Sequence, residues 1–425
     1  MVTLTNVENA LKDVYLGVVA NQLNVSTNPL LAKIKRTTKD VWGKEIVKMA
    51  PYGLNGGVGA GGETAILPGA FGNKYAQFRA TLKNLYGKIE ISDKAVRSTA
   101  NNMGAFVNLL QDEMEGLLKA SSFNLGRMLY GDGTGKLGTA LYTESDGGNI
   151  VCDKVNNLVE GMVVDMINET TGLTDYARCR VTYVDRVNKK IRVDKMNIRV
   201  LEAKPYGMYV QGSYNNEITG IGALFNGSTT LYGLTRADYL WLNPYKSTEE
   251  KEVSDNMIQT AIDFLDENAD SKVNYISCSS KVRRAYQQYM NAYKSNIEIV
   301  DLGEGFKAIS YNGIPMFADR FVDEDTMYLL NTNDFTMHEL CDWQWIEGDS
   351  GHILKQTPSY PTYSATLVKY AELICDRPNG QAKISGIKST ITNPLNLTAN
   401  VTCECNCASS STTTDTQNPS GSDGV

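Results

Sequence analysis

Histidine is nearly absent from this chain: its 425 residues hold two, His338 and His352. That scarcity sharply limits triad chemistry, which needs an imidazole base held by a buried carboxylate. The segment 348–352, Gly-Asp-Ser-Gly-His, carries the letters of the chymotrypsin-type nucleophile motif. The upstream histidine motif of those proteases is missing, and His338 lies just before Ser350, so a surface turn is expected there. The sequence also lacks a His-Glu-x-x-His pair, an EF-hand loop and a Cys-x-x-Cys pair. The carboxylate-rich stretches Asp-Phe-Leu-Asp-Glu-Asn and Asp-Glu-Asp-Thr-Met read as a helix face and a loop. No catalytic residue, metal site or cofactor is expected.

Other absences narrow the class further. No uninterrupted apolar run reaches about 18 residues, so no transmembrane helix is expected. The first residues carry Glu8, Lys12 and Asp13 and lack a basic start, apolar core and small-residue cleavage site, so no secretion leader is expected. There is no basic excess: the net charge is −7 and the pI about 5.2, whereas a dedicated nucleic-acid reader is normally basic. The short basic runs (Lys33, Lys35, Arg36; Lys189, Lys190, Arg192; Arg283, Arg284) read as solvated faces. Of eight cysteines, Cys152, Cys179, Cys278, Cys341 and Cys375 sit in apolar or strand-like runs and read as buried thiols. Without a secretion leader no disulfide framework is expected. Cys403, Cys405 and Cys407 lie in a polar tail with no second ligand pair.

What is present is an ordinary globular composition, 42% hydrophobic and 21% charged, long enough for two or three domains at roughly 150 residues each. Apolar residues at Val7, Leu11, Val14, Val18 and Leu23 follow helical spacing. Pro29 suits the first turn of a second short helix. Residues 1–41 therefore read as an arm. Residues 42–92 read as two strands around a glycine-dense tip, a long hairpin. Gly56, Gly57, Gly59, Gly61 and Gly62 make that tip flexible. Its apolar residues Ile66, Leu67 and Phe71 would be exposed in a lone subunit, and an exposed apolar patch on a projection marks a partner. From residue 93, with Ser92 as N-cap, Met103, Phe106, Leu110, Met114, Leu117, Leu125 and Met128 form one helical stripe. Gly131 ends this helix, which would span roughly 50 Å.

After it comes Gly133-Thr-Gly135-Lys-Leu-Gly138, a literal G-x-G-x-x-G. The dinucleotide fingerprint needs a strand before the glycines and a helix after them; here the order is reversed. A P-loop needs Ser or Thr after Gly-Lys, and Leu137 stands there. A helix C-cap followed by a turn fits better. Residues 150–215 read as a small β-module of short strands, with residues 185–190 as a turn. Residues 216–253 return the chain to its main body. Residues 254–345 read as mixed α and β, with Ser254 as a helix cap and Asn312-Gly313 as a hairpin turn. Residues 346–387 include a long closing strand, and 388–425 a Thr- and Ser-rich mobile tail.

The order of these segments resembles the major capsid proteins of tailed bacteriophages, the Hong Kong 97 fold. It runs from arm through glycine-tipped hairpin, long helix ending in Tyr-Gly-Asp-Gly-Thr-Gly, β-insertion and mixed α/β domain to a strand ending in Leu-Ile-Cys-Asp-Arg-Pro-Asn-Gly-Gln-Ala-Lys-Ile. The resemblance covers roughly residues 1–390 and implies an α+β fold. Residues 42–92 would be the E-loop. Residues 93–149 would form the peripheral domain with its spine helix, rejoined by 216–253 and 346–387. Residues 254–345 would be the axial domain and 150–215 an inserted module. The resemblance also implies a role: self-assembly, in the host cytoplasm, of the icosahedral head of the virion around double-stranded DNA. Hexamers and pentamers would tile the shell, with the E-loop tip covered by a neighbour. Portal and scaffolding proteins, non-specific contact with packaged DNA and a decoration protein would be partners; a membrane would not. Some relatives form a Lys–Asn cross-link, for which Lys74, Lys83 and Lys88 are the hairpin lysines. The alternatives are an encapsulin-like shell around protein cargo and a nucleotide-binding enzyme using the Gly131–Gly138 loop.

Overall fold

The computed structural model describes residues 28–64, 66–94, 103–144, 148–195, 198, 200, 204–293, 299–301, 307–347 and 353–388, with side chains omitted for 103–112, 292–293, 299–301 and 307–308. The chain divides into two units, Met1–Ile391 and Thr392–Val425; everything described belongs to the first. The expected helix in residues 5–24, the start of the long helix, Ser350, His352, the Cys403–Cys407 cluster and the tail lie outside the described residues.

The main sheet is built on the strand Thr362–Cys375, which is buried along most of its length. Phe335–Trp345 pairs antiparallel with it on one side, and Lys35–Thr37 adds in parallel beyond. On the other side lies Lys83–Ser92, in unbroken register from Ala371↔Lys83 to Thr362↔Ser92. Its sequence alternates, Leu85, Ile89 and Ile91 inward and Tyr86, Lys88 and Glu90 outward, the period of a half-buried strand. The expectation that 83–92 completes the hairpin is therefore corrected. The hairpin is Glu45–Tyr52 against Lys74–Thr81, and the next strand belongs to the body. The hairpin's base is anchored: Ile46, Ala50 and Phe78 enter the main core, and Phe78 packs 5.2 Å from the Tyr232 ring.

The helix Met103–Tyr130 has 28 residues, about 42 Å at roughly 1.5 Å per residue. Met114, Leu118, Leu125 and Leu129 are buried from it into the same core. At its end the chain's own backbone comes back against it. A Cβ on Gly220 would stand 2.2 Å from the Met128 carbonyl oxygen, so only glycine fits.

The inserted module is a closed six-stranded barrel. Its first strand is Lys136–Thr143 and its last Tyr206–Val210, so the module begins before the expected residue 150. Leu137, Ile150, Val164, Met166, Val181, Ile191 and Met208 fill its interior. Its two junctions are adjacent: the Asn215 N–H donates to the Thr134 carbonyl at 2.9 Å. Excision of 136–210 with a short linker is therefore expected to leave a soluble, folded subunit. Excision of 150–215 would strip Lys136–Thr143 of its partners and is expected to aggregate. Size-exclusion chromatography and circular dichroism of the two deletions check this.

A second, seven-stranded sheet carries the helices Asp255–Ala269 and Ser280–Tyr293 over a separate core. Ser254 caps the first helix, its hydroxyl accepting the Met257 N–H. Asn312 and Gly313, both at positive φ, turn Lys307–Tyr311 into Ile314–Ala318. The boundaries differ from the sequence reading at both ends. Tyr245–Thr248 pairs in parallel with Ala382–Ser385, which joins this sheet antiparallel to Met327–Leu330, while Phe335–Trp345 leaves it for the main sheet.

Candidate assembly surface

The hairpin stem has regular pairing; among the described residues of its tip, 53–73, there is none. Asn55 holds the neck of the tip. It donates to the Asn73 side chain at 3.0 Å and accepts the Gly57 N–H at 2.9 Å. Beyond that neck the apolar side chains stand in solvent. Ile66 is 98% exposed, Leu67 85% and Phe71 66%. Leu54 and Val58, at 96% and 87%, join them; the sequence reading passed over both. Trp42 and Met49 continue the exposed apolar surface down the stem. For Met49 the signal was the outward phase of the strand Glu45–Tyr52, whose inward residues are Ile46 and Ala50. The tip glycines Gly56, Gly57, Gly59, Gly61 and Gly62 run between these side chains: Gly56 faces Phe71, Gly57 Asn55, Gly59 Pro68, and Gly62 open space. Such a concentration of exposed apolar groups on one projection is unusual for a protein that works alone.

The glycine run after the long helix is a joint between elements. Gly133 and Gly135 adopt φ of 87° and 83°, the left-handed region glycine enters without strain. Asp132 accepts the Thr134 N–H at 3.0 Å and its hydroxyl at 2.5 Å. Carboxylate thus takes up the turn's donors where a phosphate cradle would need them free. Lys136 forms an ion pair with Glu169. Glu217 comes close to Gly135 and grips Arg127 of the helix in a two-pronged ion pair, 2.9 and 2.5 Å, with both side chains buried. The Arg127–Glu217 pair fastens the segment that leaves the barrel after Val210 to the end of the helix.

Several other titratable groups of the body are buried within it. His338 is fully buried, its Nδ1 3.1 Å from the Lys39 carbonyl oxygen, and burial lowers its pKa. Lys369 lies between Glu339 and Asp342, at 2.8 and 2.7 Å. Among the described residues, no group of three or more His, Cys, Asp or Glu side chains is placed to hold a metal ion. Glu372 accepts the N–H groups of Thr219 at 2.5 Å and Leu373 at 3.1 Å.

Burial nonetheless raises the Glu372 pKa from an ordinary 4.5 to about 7. The unfolded chain thus loses this proton first. The stabilisation is full below about pH 4.5 and lost as pH rises to about 7. Glu372→Gln keeps a neutral acceptor at every pH. It is expected to match the parent near pH 4.5 and to exceed it at pH 8 by up to about 3 kcal/mol, read from urea midpoints at the two pH values.

No protein-family model matches the chain, and no curated protein matches it. Solved structures do. The capsid asymmetric unit of cyanophage A-1(L) matches at 10% identity and a TM-score of 0.50, over 85% of this chain and 93% of that one. The capsid of an empty GTA particle follows at 10% identity and a TM-score of 0.44, over 85% and 91%. The holo-SrpI encapsulin complex of Synechococcus elongatus PCC 7942 follows at 9% and 0.43, over 88% and 96%. The long helix, the main sheet and the second mixed sheet thus form the Hong Kong 97-type α+β fold, the fold of tailed-phage major capsid proteins.

Proposed function

We propose that this chain is a structural, non-enzymatic major capsid protein, which self-assembles into the icosahedral head of a tailed phage around its double-stranded DNA. The observation that carries the reading is the hairpin: Ile66, Leu67 and Phe71 stand exposed on a projection whose base alone is packed. In this reading residues 45–81 are the E-loop, the helix Met103–Tyr130 is the spine helix of the peripheral domain, and the seven-stranded sheet is the axial domain. The tip is covered by a neighbouring subunit in hexamers and pentamers. Portal and scaffolding proteins, a decoration protein and the packaged DNA are the further partners, the last contacted without base recognition, in keeping with the chain's net charge of −7. The place of work is the virion, after assembly in the host cytoplasm.

Analytical ultracentrifugation of the purified protein tests this. Closed assemblies far larger than the 46.7 kDa subunit are expected. A monomer at every concentration and ionic strength tried would overturn the reading. Protein cargo inside particles made in cells, in place of nucleic acid, would favour an encapsulin-like shell instead.

A further inference from the structure

In the main sheet a lysine amine stands between two carboxylates at the edge of the core. Lys369 lies on the strand Thr362–Cys375, its side chain 1% exposed. Its neighbours on the same face, Leu367 and Ala371, belong to the main core, as does Leu85, its partner on the next strand. Both carboxylates come from the strand Phe335–Trp345 on the other side. In a regular strand residues 339 and 342 would point to opposite faces. Here the ladder slips twice, passing from Glu339↔Ala371 to Cys341↔Tyr370 and then to Gln344↔Val368. Bulges of this kind re-aim side chains. They bring the Glu339 Oε1 to 2.8 Å and the Asp342 Oδ1 to 2.7 Å from the Lys369 Nζ. Glu339 is buried with the amine, whereas Asp342 keeps one side open to solvent.

The Asp342 carboxylate is also held from two other directions. Its Oδ1 accepts the Trp343 N–H at 2.8 Å, and its Oδ2 faces the Arg36 guanidinium at 3.6 Å. Both draw electron density from Cγ and stabilise charge on its oxygens. We propose that Lys369 and Asp342 condense within one subunit to an isopeptide bond, with Glu339 as the proton carrier. Burial pushes the Asp342 carboxyl up, but Lys369, the Trp343 N–H and Arg36 outweigh it and hold the group below its usual range. The protons that release an oxygen therefore come from the Lys369 ammonium. Glu339 takes the first, leaving an amine whose electron pair attacks Cγ, and passes it to an Asp342 oxygen. It then moves a second proton from the nitrogen to the same oxygen, the C–O bond breaks, and water departs through the open side of Asp342. One ammonium and one carboxylate become one amide and one water, so no oxidant or further reactant is needed. Two effects favour the bond. The amine already touches an oxygen bonded to Cγ, and positioning of this kind reaches effective molarities of about 10⁵–10⁸ M. Charges in a core are costly to desolvate, and condensation removes two of the three. The bond ties two strands of one chain, unlike a Lys–Asn link between subunits through Lys74, Lys83 or Lys88.

Tryptic peptide mapping of the purified full chain by mass spectrometry tests this, and the result stands apart from the shell reading because the bond needs no second subunit. The parent is expected to resist cleavage after Lys369 and to yield the Lys369 peptide joined to the Asp342 peptide, lighter than their sum by one water. Lys369→Arg and Asp342→Ala are expected to yield only separate peptides. So is Glu339→Gln, which keeps an acceptor of the same shape but cannot carry the proton. Separate peptides from the parent, cleaved after Lys369, would overturn the proposal whether or not the variants fold. A lost water mapped to another residue would do the same. Joined peptides at the parent's level in Glu339→Gln would overturn the part given to Glu339.

Discussion

Leu67→Asp is expected to leave the subunit folded and to abolish shell formation. Leu67 is 85% exposed in the isolated subunit and belongs to none of its cores, so a carboxylate there costs the subunit little. In the proposed assembly the same position is covered by a neighbouring subunit. Burying a leucine side chain contributes roughly 1.5–3 kcal/mol, and a buried unpaired carboxylate adds a desolvation cost of several kcal/mol more, by roughly the scale known for charged groups. The loss recurs at every equivalent contact of a closed symmetric shell, so a modest local change removes the particle. Circular dichroism of the variant and negative-stain micrographs read the two halves of the prediction. A subunit that unfolds would place Leu67 in its own core. Particles of normal number and heat resistance would mean that the tip is not covered.

The second large effect is expected inside the subunit. Glu217→Ala leaves the Arg127 guanidinium buried without its carboxylate, where both side chains are at most 4% exposed. Removing one partner of such a pair costs about 3–5 kcal/mol, because the remaining charge has no compensation. Replacing both partners by apolar residues of similar size is far milder. The ordering expected in urea denaturation is therefore parent, then Arg127→Met with Glu217→Leu, then Glu217→Ala well below both. A Glu217→Ala midpoint equal to the parent's would show that the helix end and the segment leaving the barrel are held by packing alone.

Local chemistry made several elements legible. Asn312-Gly313 supplies the two positive-φ residues of a tight hairpin turn, and Ser254 an N-cap; neither needs any knowledge of distant chain. The alternation of 83–92 was equally readable, but its partner was not. A strand with one buried face looks the same whether it pairs with 45–52 nearby or with 362–371 at the far end of the sequence. The first barrel strand was missed for a related reason. Lys136–Thr143 follows the glycine joint directly, and its buried run Leu137–Ala140 lacks the polar alternation that marked the later strands. The Arg127–Glu217 pair joins residues 90 apart, and Lys369 is buried because the fold brings Glu339 and Asp342 to it; no spacing rule connects either. The exposed tip was readable because glycine density and isolated apolar residues are local features. The stem's outward Met49 became visible only once the inward phase of the strand Glu45–Tyr52 was known.

Cryo-electron microscopy of the assembled protein would show the hairpin tip itself. Closed icosahedral shells are expected, in which Ile66, Leu67 and Phe71 of each subunit lie buried against the next, with the seven-stranded sheets gathered at the capsomer axes. Open or monomeric protein, or closed shells in which those three side chains remain in solvent, would contradict that expectation.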